Sequence, residues 1–420
     1  MNLAILSLIF VLAAIILGFV KKMNTGLIAI GLSLIIGRIG GIPDKDVIAG
    51  FNTSLFVMLL GVTYLFSIAN CNGTLELFAK KSVALAGKRA KLIPVVLYIL
   101  GVFLAAIGPG SIPVMALMAM FSMALAAQMK INPLKLVPIA VSGAAAGGLS
   151  PIAPSGIIAI DLAAKSGFTG IGMPFFFNSL LSYTLFAIVL YFFFKAYQIE
   201  SDAPFKMDDL PKFNRNQIIT LAGVAVMVVL VIFGKFNIGL MAFLVAGVLT
   251  FLRVADEKQA VFGIPWGILV MVAGVNVLME VVMKLQGIKM MAAFLGSLMN
   301  ESTATPILAL TCGIMTFFSS TSGVVMPTMI PTIKDILATL GNPQSITATE
   351  MISALVNTSQ NAGVSPLSTA GALMMAAYGS NFNPSPKEEH KLFVTLFGIA
   401  VAGMTFMVVG SYFGLFKIFH

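Results

Sequence analysis

The chain has 420 residues, of which 59% are hydrophobic and only 10% are charged. Because soluble domains carry about 25% charged residues, this composition excludes a water-soluble protein and predicts one that crosses a bilayer repeatedly. The net charge of +9 does not indicate nucleic acid, since basic residues in such chains collect in cytoplasmic loops. Two distant cysteines, Cys71 and Cys312, form neither a disulfide framework nor a metal-ligand pattern.

Apolar segments predict about ten transmembrane helices. They lie at residues 2–20, 24–42, 50–70, 135–160, 172–195, 217–234, 237–252, 264–284, 348–378 and 391–418. We interpret the first as a retained helix, because no basic residue precedes it and no small-residue cleavage site follows it. Short segments with interleaved charges, 74–89 and 287–301, are expected to lie along the bilayer surface as helices, or to be simple loops.

Two further apolar segments, 92–127 and 304–338, are interrupted midway by glycine, proline and serine. Each arm of about 16 residues reaches about 24 Å, which is short of a hydrocarbon core of about 30 Å. This length favours two re-entrant helical hairpins. Pairs of short transmembrane helices are the alternative.

The two halves of the chain share one plan. A shift of 213 residues superposes 24–62 on 237–275, and a shift of 215 places 147–156 on 362–371. Each half has five spans and one hairpin, and because five is odd the second half must have the opposite orientation. We therefore predict two inverted-topology repeats, as in many secondary transporters. The predicted organisation is a first repeat at 1–198, a linker at 199–216 and a second repeat at 217–420.

The distribution of basic residues predicts the orientation. Seventeen of the 25 Lys and Arg residues fall in loops on one side of the predicted membrane. The positive-inside rule makes that side cytoplasmic, which places both termini outside and the linker inside. We expect a multi-pass protein of the cell (inner) membrane, whose two hairpins enter from opposite sides and meet near the midplane.

The sequence shows no catalytic centre and no transition-metal site. His390 and His420 are predicted to lie in a polar loop and at the C-terminus, without partners at metal or triad spacing. The deepest acids in this interpretation are Glu280 and Asp161, and a chain of buried carboxylates typical of a proton pump is missing. We expect no enzyme activity, with Glu280 as an interfacial residue more than a coupling carboxylate.

Two of the spans are interrupted by proline and glycine at equivalent repeat positions, 147–156 and 361–370. Proline removes a backbone donor, so a helix cannot run through either segment. Exposed backbone at membrane depth is tolerated only where it lines a cavity or binds something. One such break alone would indicate a kink. Two equivalent breaks, each preceded by a hairpin, predict a binding site.

Such a site has a predictable polarity. Four interrupted elements offer four helix N-termini of about +0.5 charge each, which together suit an anion with two negative charges. Freed carbonyls and hydroxyls suit Na⁺, so anion affinity would depend on the cation. The candidate anion ligands are Ser111, Ser150, Ser155, Ser319, Ser320, Thr321, Ser365, Ser368 and Thr369. The candidate Na⁺ ligands are Gly108, Gly110, Gly148, Ser319, Ser322, Val364 and Pro366.

Four segments resemble the dicarboxylate carriers of the malonate-uptake type, within the ion transporter superfamily that includes the divalent anion:sodium symporters. They are GVTYLFSIANCNGTLE from Gly61, AAIGPGSIPVMALM from Ala105, GGLSPIAPSGII from Gly147 and SPLSTAGALMMAA from Ser365. In that superfamily a Ser-Asn-Thr signature at the hairpin tips binds carboxylate and Na⁺, and the broken helices carry a Thr-Pro or similar turn.

The resemblance places Ser319, Ser320 and Thr321 on the second signature. It places Ser365 with Pro366, and Ser150 with Pro151, on the two turns. Ser320 stands where the signature has its amide, and the first tip offers the single hydroxyl of Ser111. The resemblance also implies a homodimer in which a transport domain slides past a scaffold in an elevator motion. The moving domain would hold the hairpins with 135–160 and 348–378, and the scaffold would hold 2–70 and 217–284.

The resulting hypothesis is a symporter that imports malonate or a C4-dicarboxylate with Na⁺, without other cofactors. Three alternatives remain open. The chain could be the large membrane subunit of a tripartite transporter that needs an external solute-binding protein, an H⁺-coupled carrier, or a passive anion channel.

Overall fold

The structure is a computed structural model that describes residues 2–21, 23–84, 89–200, 209–234, 236–317, 320–366, 368–382 and 384–420. Within these ranges it is helical and has no β-strand. The first half contains α1 Leu3–Lys21, α2 Thr25–Ile39, α3 Asp44–Ile48, α4 Thr53–Cys71, α5 Thr74–Ala84, α6 Ile93–Ala106, α7 Ser111–Gln128, α8 Val137–Gly147, α9 Pro154–Lys165 and α10 Gly172–Phe193.

The second half follows the same order of elements. It contains α11 Arg215–Gly234, α12 Ile238–Phe251, α13 Glu257–Phe262, α14 Trp266–Lys284, α15 Gly287–Ser297, α16 Ala304–Thr316, α17 Met326–Met329, α18 Ile333–Thr339, α19 Ala348–Ala362, α20 Thr369–Phe382 and α21 Pro386–Tyr412. Repeat-equivalent asparagines cap two of these helices, because the Asn24 side chain accepts from Gly26 N–H and the Asn237 side chain from Leu240 N–H.

Four helices cross-pack between the two halves, α2 against α14 and α4 against α12. Glycines permit both contacts. A Cβ on Gly26 would overlap the Val270 carbonyl, and one on Gly61 would overlap the Gly239 carbonyl. Because no side chain fits between these backbones, the crossings bring the helix axes close together.

Both segments predicted as hairpins consist of two helical arms with a break between them, and their re-entrant character stays a prediction, since Ser111–Gln128 is by length and composition able to cross a membrane. In the first, α6 and α7 are joined by a turn in which Gly108 and Gly110 adopt φ of +142° and +82°. In the second, α16 and the arm Thr321–Thr339 are bent by 120°. That arm is not one helix, since Pro327 and Pro331 lack the N–H that a regular helix needs.

Both predicted helix breaks are also present. In the first broken span, α8 ends at Gly147 and α9 begins at Pro154. Between them the Ser150 N–H donates to the Gly147 carbonyl. The second stops at Ala362 and resumes at Thr369. The surface helices α5 and α15 occupy the segments predicted for them, and α15 is bent by 80° from the end of α14.

Two expectations about the chain need correction. The predicted loop at 379–391 is mostly helical, because α20 runs to Phe382 and a capping box of Ser385 and Glu388 starts α21 at Pro386. His390 therefore lies in a helix and not in a loop. Among the described residues the acid most buried within the protein is Glu350, at 2% exposure.

The number of membrane spans stays a prediction. By length and composition, four helices of the described ranges are long and apolar enough to cross a membrane, or six if each bent pair is one span. Seven shorter apolar helices accompany them. The chain is thus an all-helical protein with several membrane-competent helices, while the ten-span count rests on the sequence pattern.

Candidate functional site

A cavity of about 50 Å³ lies where the two hairpins and the two broken helices meet. One water needs about 10–15 Å³ of such volume, so the cavity has room for a small polar ligand or several waters. Its lining consists of Ser111, Ile112, Met115, Ser155, Ser320, Thr321, Ser322, Gln360, Gly363, Ser368 and Ala370. This described lining includes no charged residue.

Four helical elements start at this cavity. Helix α7 starts at Ser111, α9 at Pro154, the second hairpin arm at Thr321 and α20 at Thr369. Because unpaired N–H groups and the helix dipole give the start of a regular helix about +0.5 charge, the starts of α7, α9 and α20 offer donors to an anion without any lysine or arginine in the described lining. This convergence is the geometry that the sequence predicts for a doubly charged anion.

A chain of hydroxyls crosses the site between the two halves of the protein. Ser111 Oγ lies 3.5 Å from Ser155 Oγ, and Ser155 Oγ lies 3.1 Å from Ser322 Oγ. All three side chains are buried. The first hairpin tip, the first break and the second hairpin tip are therefore in direct contact, as expected if the tips meet.

A second hydroxyl contact ties the second hairpin to α19. Ser359 Oγ donates to Thr321 Oγ1 at 3.0 Å and also lies 2.5 Å from Thr316 Oγ1. Gln360, the next residue, lines the cavity and donates from Nε2 to the Ala145 carbonyl at 2.6 Å. Sequence reasoning missed both residues, although a run of five polar residues at 357–361, just before the second break, marks the position.

Several predicted ligands are not part of the described lining. Ser150 Oγ donates to the Ala106 carbonyl at 2.6 Å, so it fastens the first break to the end of α6. Ser365 is fully buried within the second break. Ser319 and the side chain of Thr369 lie outside the described residues.

The glycines predicted as cation ligands are sites of close packing. A Cβ on Gly108 would overlap the Phe66 ring, one on Gly110 would lie 2.7 Å from Pro154, and one on Gly148 would overlap Ser111 Oγ. Val364 and Pro366 are likewise outside the described lining. Of the predicted cation ligands, Ser322 alone among the described residues reaches the cavity wall.

Two larger cavities flank the site at equivalent positions in the two halves. One of about 350 Å³, the α4 vestibule, is lined by Thr63, Ser67, Asn70 and Gly263 among others. The other, of about 490 Å³, is the α14 vestibule, and its lining includes the residues equivalent to these four at a shift of 213 residues, Asn276, Glu280, Met283 and Gly50.

The lining of the central cavity is adjacent to that of one vestibule. A small cavity of about 30 Å³ shares Pro109 and Pro265 with the α4 vestibule, and Ser111 and Ser155 with the central cavity. The described lining of the α14 vestibule has no residue in common with the central cavity. The first hairpin tip thus lies between the central cavity and the α4 vestibule.

The fold and the cavity together suit a membrane transporter: broken helices from two halves of the chain line a chamber with six hydroxyl side chains and no charged residue in its described lining, and two larger cavities flank it. Residues 1–148 match the model of a family described as the dicarboxylate carrier protein MatC N-terminus. This match confirms, over those residues, the resemblance drawn from the sequence. No curated protein sequence matches the chain.

Among solved structures, the fold is similar to the crystal structure of the Alcanivorax borkumensis YdaH transporter, whose topology is described as unusual. The TM-score is 0.60 at 12% sequence identity, over 91% of this chain and 88% of that chain. At this identity the likeness concerns the fold alone. Together with the family match it supports a membrane transporter and not an enzyme.

Proposed function

We propose that the chain is a secondary active transporter that imports a small dicarboxylate, malonate or a C4 acid, together with Na⁺. The observation that carries this proposal is the convergence of four helix starts and six hydroxyl side chains on one buried cavity without a basic residue. Backbone N–H groups and hydroxyls can bind two carboxylates there, because helix N-termini favour negative charge in a low-dielectric place.

The proposed mechanism is alternating access between two inverted repeats. This mechanism is supported by the way in which equivalent helices pack across the two halves. Gly26 of α2 packs against α14, and its counterpart Gly239 of α12 packs against α4. The equivalent vestibules are further support, since each would serve one side of the membrane. In this proposal the α4 vestibule faces the cytoplasm and the α14 vestibule faces the outside.

In this proposal the hairpins, α8, α9, α19 and α20 form the moving domain, and the helices up to α4 with α11–α14 form the scaffold. The elevator motion would carry the chamber from the α4 vestibule to the α14 vestibule. The homodimer is proposed on the resemblance to the malonate-uptake carriers. Na⁺ would complete the chamber, so that neither the cation nor the anion is bound firmly without the other.

Uptake of labelled malonate and succinate by the purified chain in lipid vesicles tests the proposal. We expect accumulation above equilibrium under an inward Na⁺ gradient and none with choline in its place. Ser155→Ala should lower uptake about tenfold, because one hydrogen bond at a buried site is worth about 1.4 kcal/mol. Ser297→Ala, whose hydroxyl bonds only the carbonyl of Phe294 on an exposed turn, is the matched control.

The other outcomes of that experiment identify the rival functions. A flux that ignores the Na⁺ gradient and stops at equilibrium would make the chain a passive anion channel. Accumulation driven by a pH gradient without Na⁺ would make it an H⁺-coupled carrier. Uptake that appears only after an external solute-binding protein and a small membrane subunit are added would make it part of a tripartite transporter.

A further inference from the structure

Helix α19 carries five consecutive polar residues just before the second break, and all five are buried. They are Asn357, Thr358, Ser359, Gln360 and Asn361. At the equivalent positions of α8, a shift of 215 residues away, stand Ser142, Gly143, Ala144, Ala145 and Ala146. The polar character therefore belongs to one repeat only, and the symmetric chamber does not account for it.

Only two of the five residues are used by the chamber. Ser359 and Gln360 form the contacts described above. In contrast, Asn357 Oδ1, Thr358 Oγ1 and both polar atoms of the Asn361 amide have no hydrogen-bond partner. Each of these side chains is at most 1% exposed. Unsatisfied polar atoms so deeply buried are rare and costly, and they indicate a bound water or ion.

These three side chains share one face of the helix. Residues at spacings of three and four lie about 5–6 Å apart between Cβ atoms, so Thr358 and Asn357 flank Asn361. Glycines on the two neighbouring helices make room for them. A Cβ on Gly403 of α21 would lie 2.5 Å from Asn361 Oδ1, and one on Gly313 of α16 would lie 3.1 Å from Thr358 Cγ2.

The chemistry of this face selects a hard monovalent cation. Its unsatisfied acceptors are two amide oxygens and a hydroxyl, which are ligands of Na⁺-like ions and not of soft metals. The described residues contain no group of three His, Cys, Asp or Glu side chains that could hold a transition metal. The remaining orphan, the Asn361 amide N–H, can donate to a water in the shell of the ion.

We propose that Asn357, Thr358 and Asn361 form a buried Na⁺ site on α19, separate from the chamber at the hairpin tips. The inference rests on the proposed transport function, because it assigns a coupling ion to that transporter. Asn361 is the penultimate residue of α19 and is adjacent in sequence to Gln360, which lines the chamber. An ion held there would fix the end of α19 and so align Ser359 and Gln360 for the substrate.

Thermal unfolding of the purified full-length protein, measured against NaCl with choline chloride at constant ionic strength, tests this site. In Thr358→Val and Asn361→Leu we expect the NaCl concentration for half of the stabilisation to rise at least tenfold. Without Na⁺ both variants should unfold at a higher temperature than the wild type, because an unsatisfied polar group has been replaced by an apolar one of similar size. A purely structural role predicts the opposite sign.

Two further variants sharpen the result. Asn361→Asp keeps the acceptor oxygen, replaces the amide nitrogen by a second oxygen and adds a negative charge, so it should bind Na⁺ more tightly than the wild type. Ser142→Ala, at the position equivalent to Asn357, removes a hydroxyl that already bonds the Pro138 carbonyl and should leave the NaCl dependence unchanged.

The proposal is overturned if Thr358→Val and Asn361→Leu keep the NaCl dependence of the wild type. It is also overturned if malonate stabilises the wild type and Na⁺ has no effect, which would leave dicarboxylate transport standing. Conversely, a wild type that responds to Na⁺ through these residues and ignores dicarboxylates would overturn the proposed substrate while supporting the site.

Discussion

The two broken helices, α8–α9 and α19–α20, occupy equivalent positions and use glycine in opposite ways. In the first half the glycines stand on the broken helix itself, since Gly143 and Gly147 allow α8 to press against the carbonyls of Tyr98 and Val102 on α6. In the second half the glycines stand on the neighbouring helices, as Gly313 and Gly403 do, and the space is filled by polar side chains of α19.

This difference teaches how a duplicated fold can acquire an asymmetric function. Backbone-to-backbone packing makes α8 a rigid support, because no rotatable side chain separates it from the first hairpin. Helix α19 packs through amide and hydroxyl side chains, which gives it polar ligand groups at the positions equivalent to those of α8. The repeat determines where the helices break. Whether the glycines lie on the broken helix or on its neighbours determines which half presents polar side chains.

The largest effect is expected when α8 is given the residue that α19 has. Gly147→Ala installs the counterpart of Ala362, but its Cβ would overlap the Val102 carbonyl. We expect a loss of about 3 kcal/mol in the free energy of unfolding, because a rigid backbone cannot yield. Thermal unfolding and the yield of monodisperse protein measure it. Gly398→Ala, with nothing within 4 Å of its Cβ, is the control; equal behaviour of the two would mean that α8 does not press on α6.

A smaller effect is expected at the start of α19, where the second half buries a carboxylate and the first half carries Lys135 at the equivalent position. Glu350 accepts a hydrogen bond from Thr305 Oγ1 at 2.9 Å, and Lys417 Nζ lies 4.0 Å from its other oxygen. Thr305→Val removes the only described side-chain donor within hydrogen-bond distance. It should cost about 2 kcal/mol of stability, because a buried charged acceptor is left without its donor.

Chemical denaturation of the two proteins in the same detergent measures this loss. Thr405→Val, which removes a hydroxyl bonded only to its own helix on an exposed face, is the matched control. If Thr305→Val is no less stable than Thr405→Val, the carboxylate does not depend on the link between α16 and α19.

The smallest effect is expected at a hydrogen bond that directly joins α19 to α8. Gln360→Leu deletes the donor to the Ala145 carbonyl, which is 2.6 Å away, and keeps the apolar bulk. We expect malonate uptake to fall about tenfold, or about 1.4 kcal/mol, with little change in unfolding temperature. Uptake in vesicles matched for protein content measures it. A wild-type rate would show that the chamber tolerates independent movement of α8 and α19.

Much of the fold could be predicted from the sequence, and the errors have physical causes. The last span was predicted to begin at 391, because the apolar pattern begins only there. Helix α21 begins earlier, at Pro386, after a capping box formed by Ser385 and Glu388. Glu350 was not recognised as buried, because a single acid near a helix start is usually interfacial. The basic group nearest to it, Lys417, comes from the distant C-terminal segment.

The site was predicted in outline and not in its membership. Ser111, Ser155, Ser320, Thr321, Ser322 and Ser368 do line one cavity. Ser150 does not, because its hydroxyl bonds Ala106. Gln360 and Ser359 were missed, since the search followed the breaks and not the polar run that precedes the second one.

The sequence by itself determined the membrane class, the positions of the two breaks and the two hairpins, and the absence of charge at their tips. These features depend on local chemistry: hydropathy, the missing N–H of proline and the positive φ of glycine act within a few residues. Tertiary structure alone decided which hydroxyls meet, such as Ser155 and Ser322, which are 167 residues apart. It also decided that the polar run of α19 is buried, because the direction of a side chain is set by helices that pack from elsewhere in the chain.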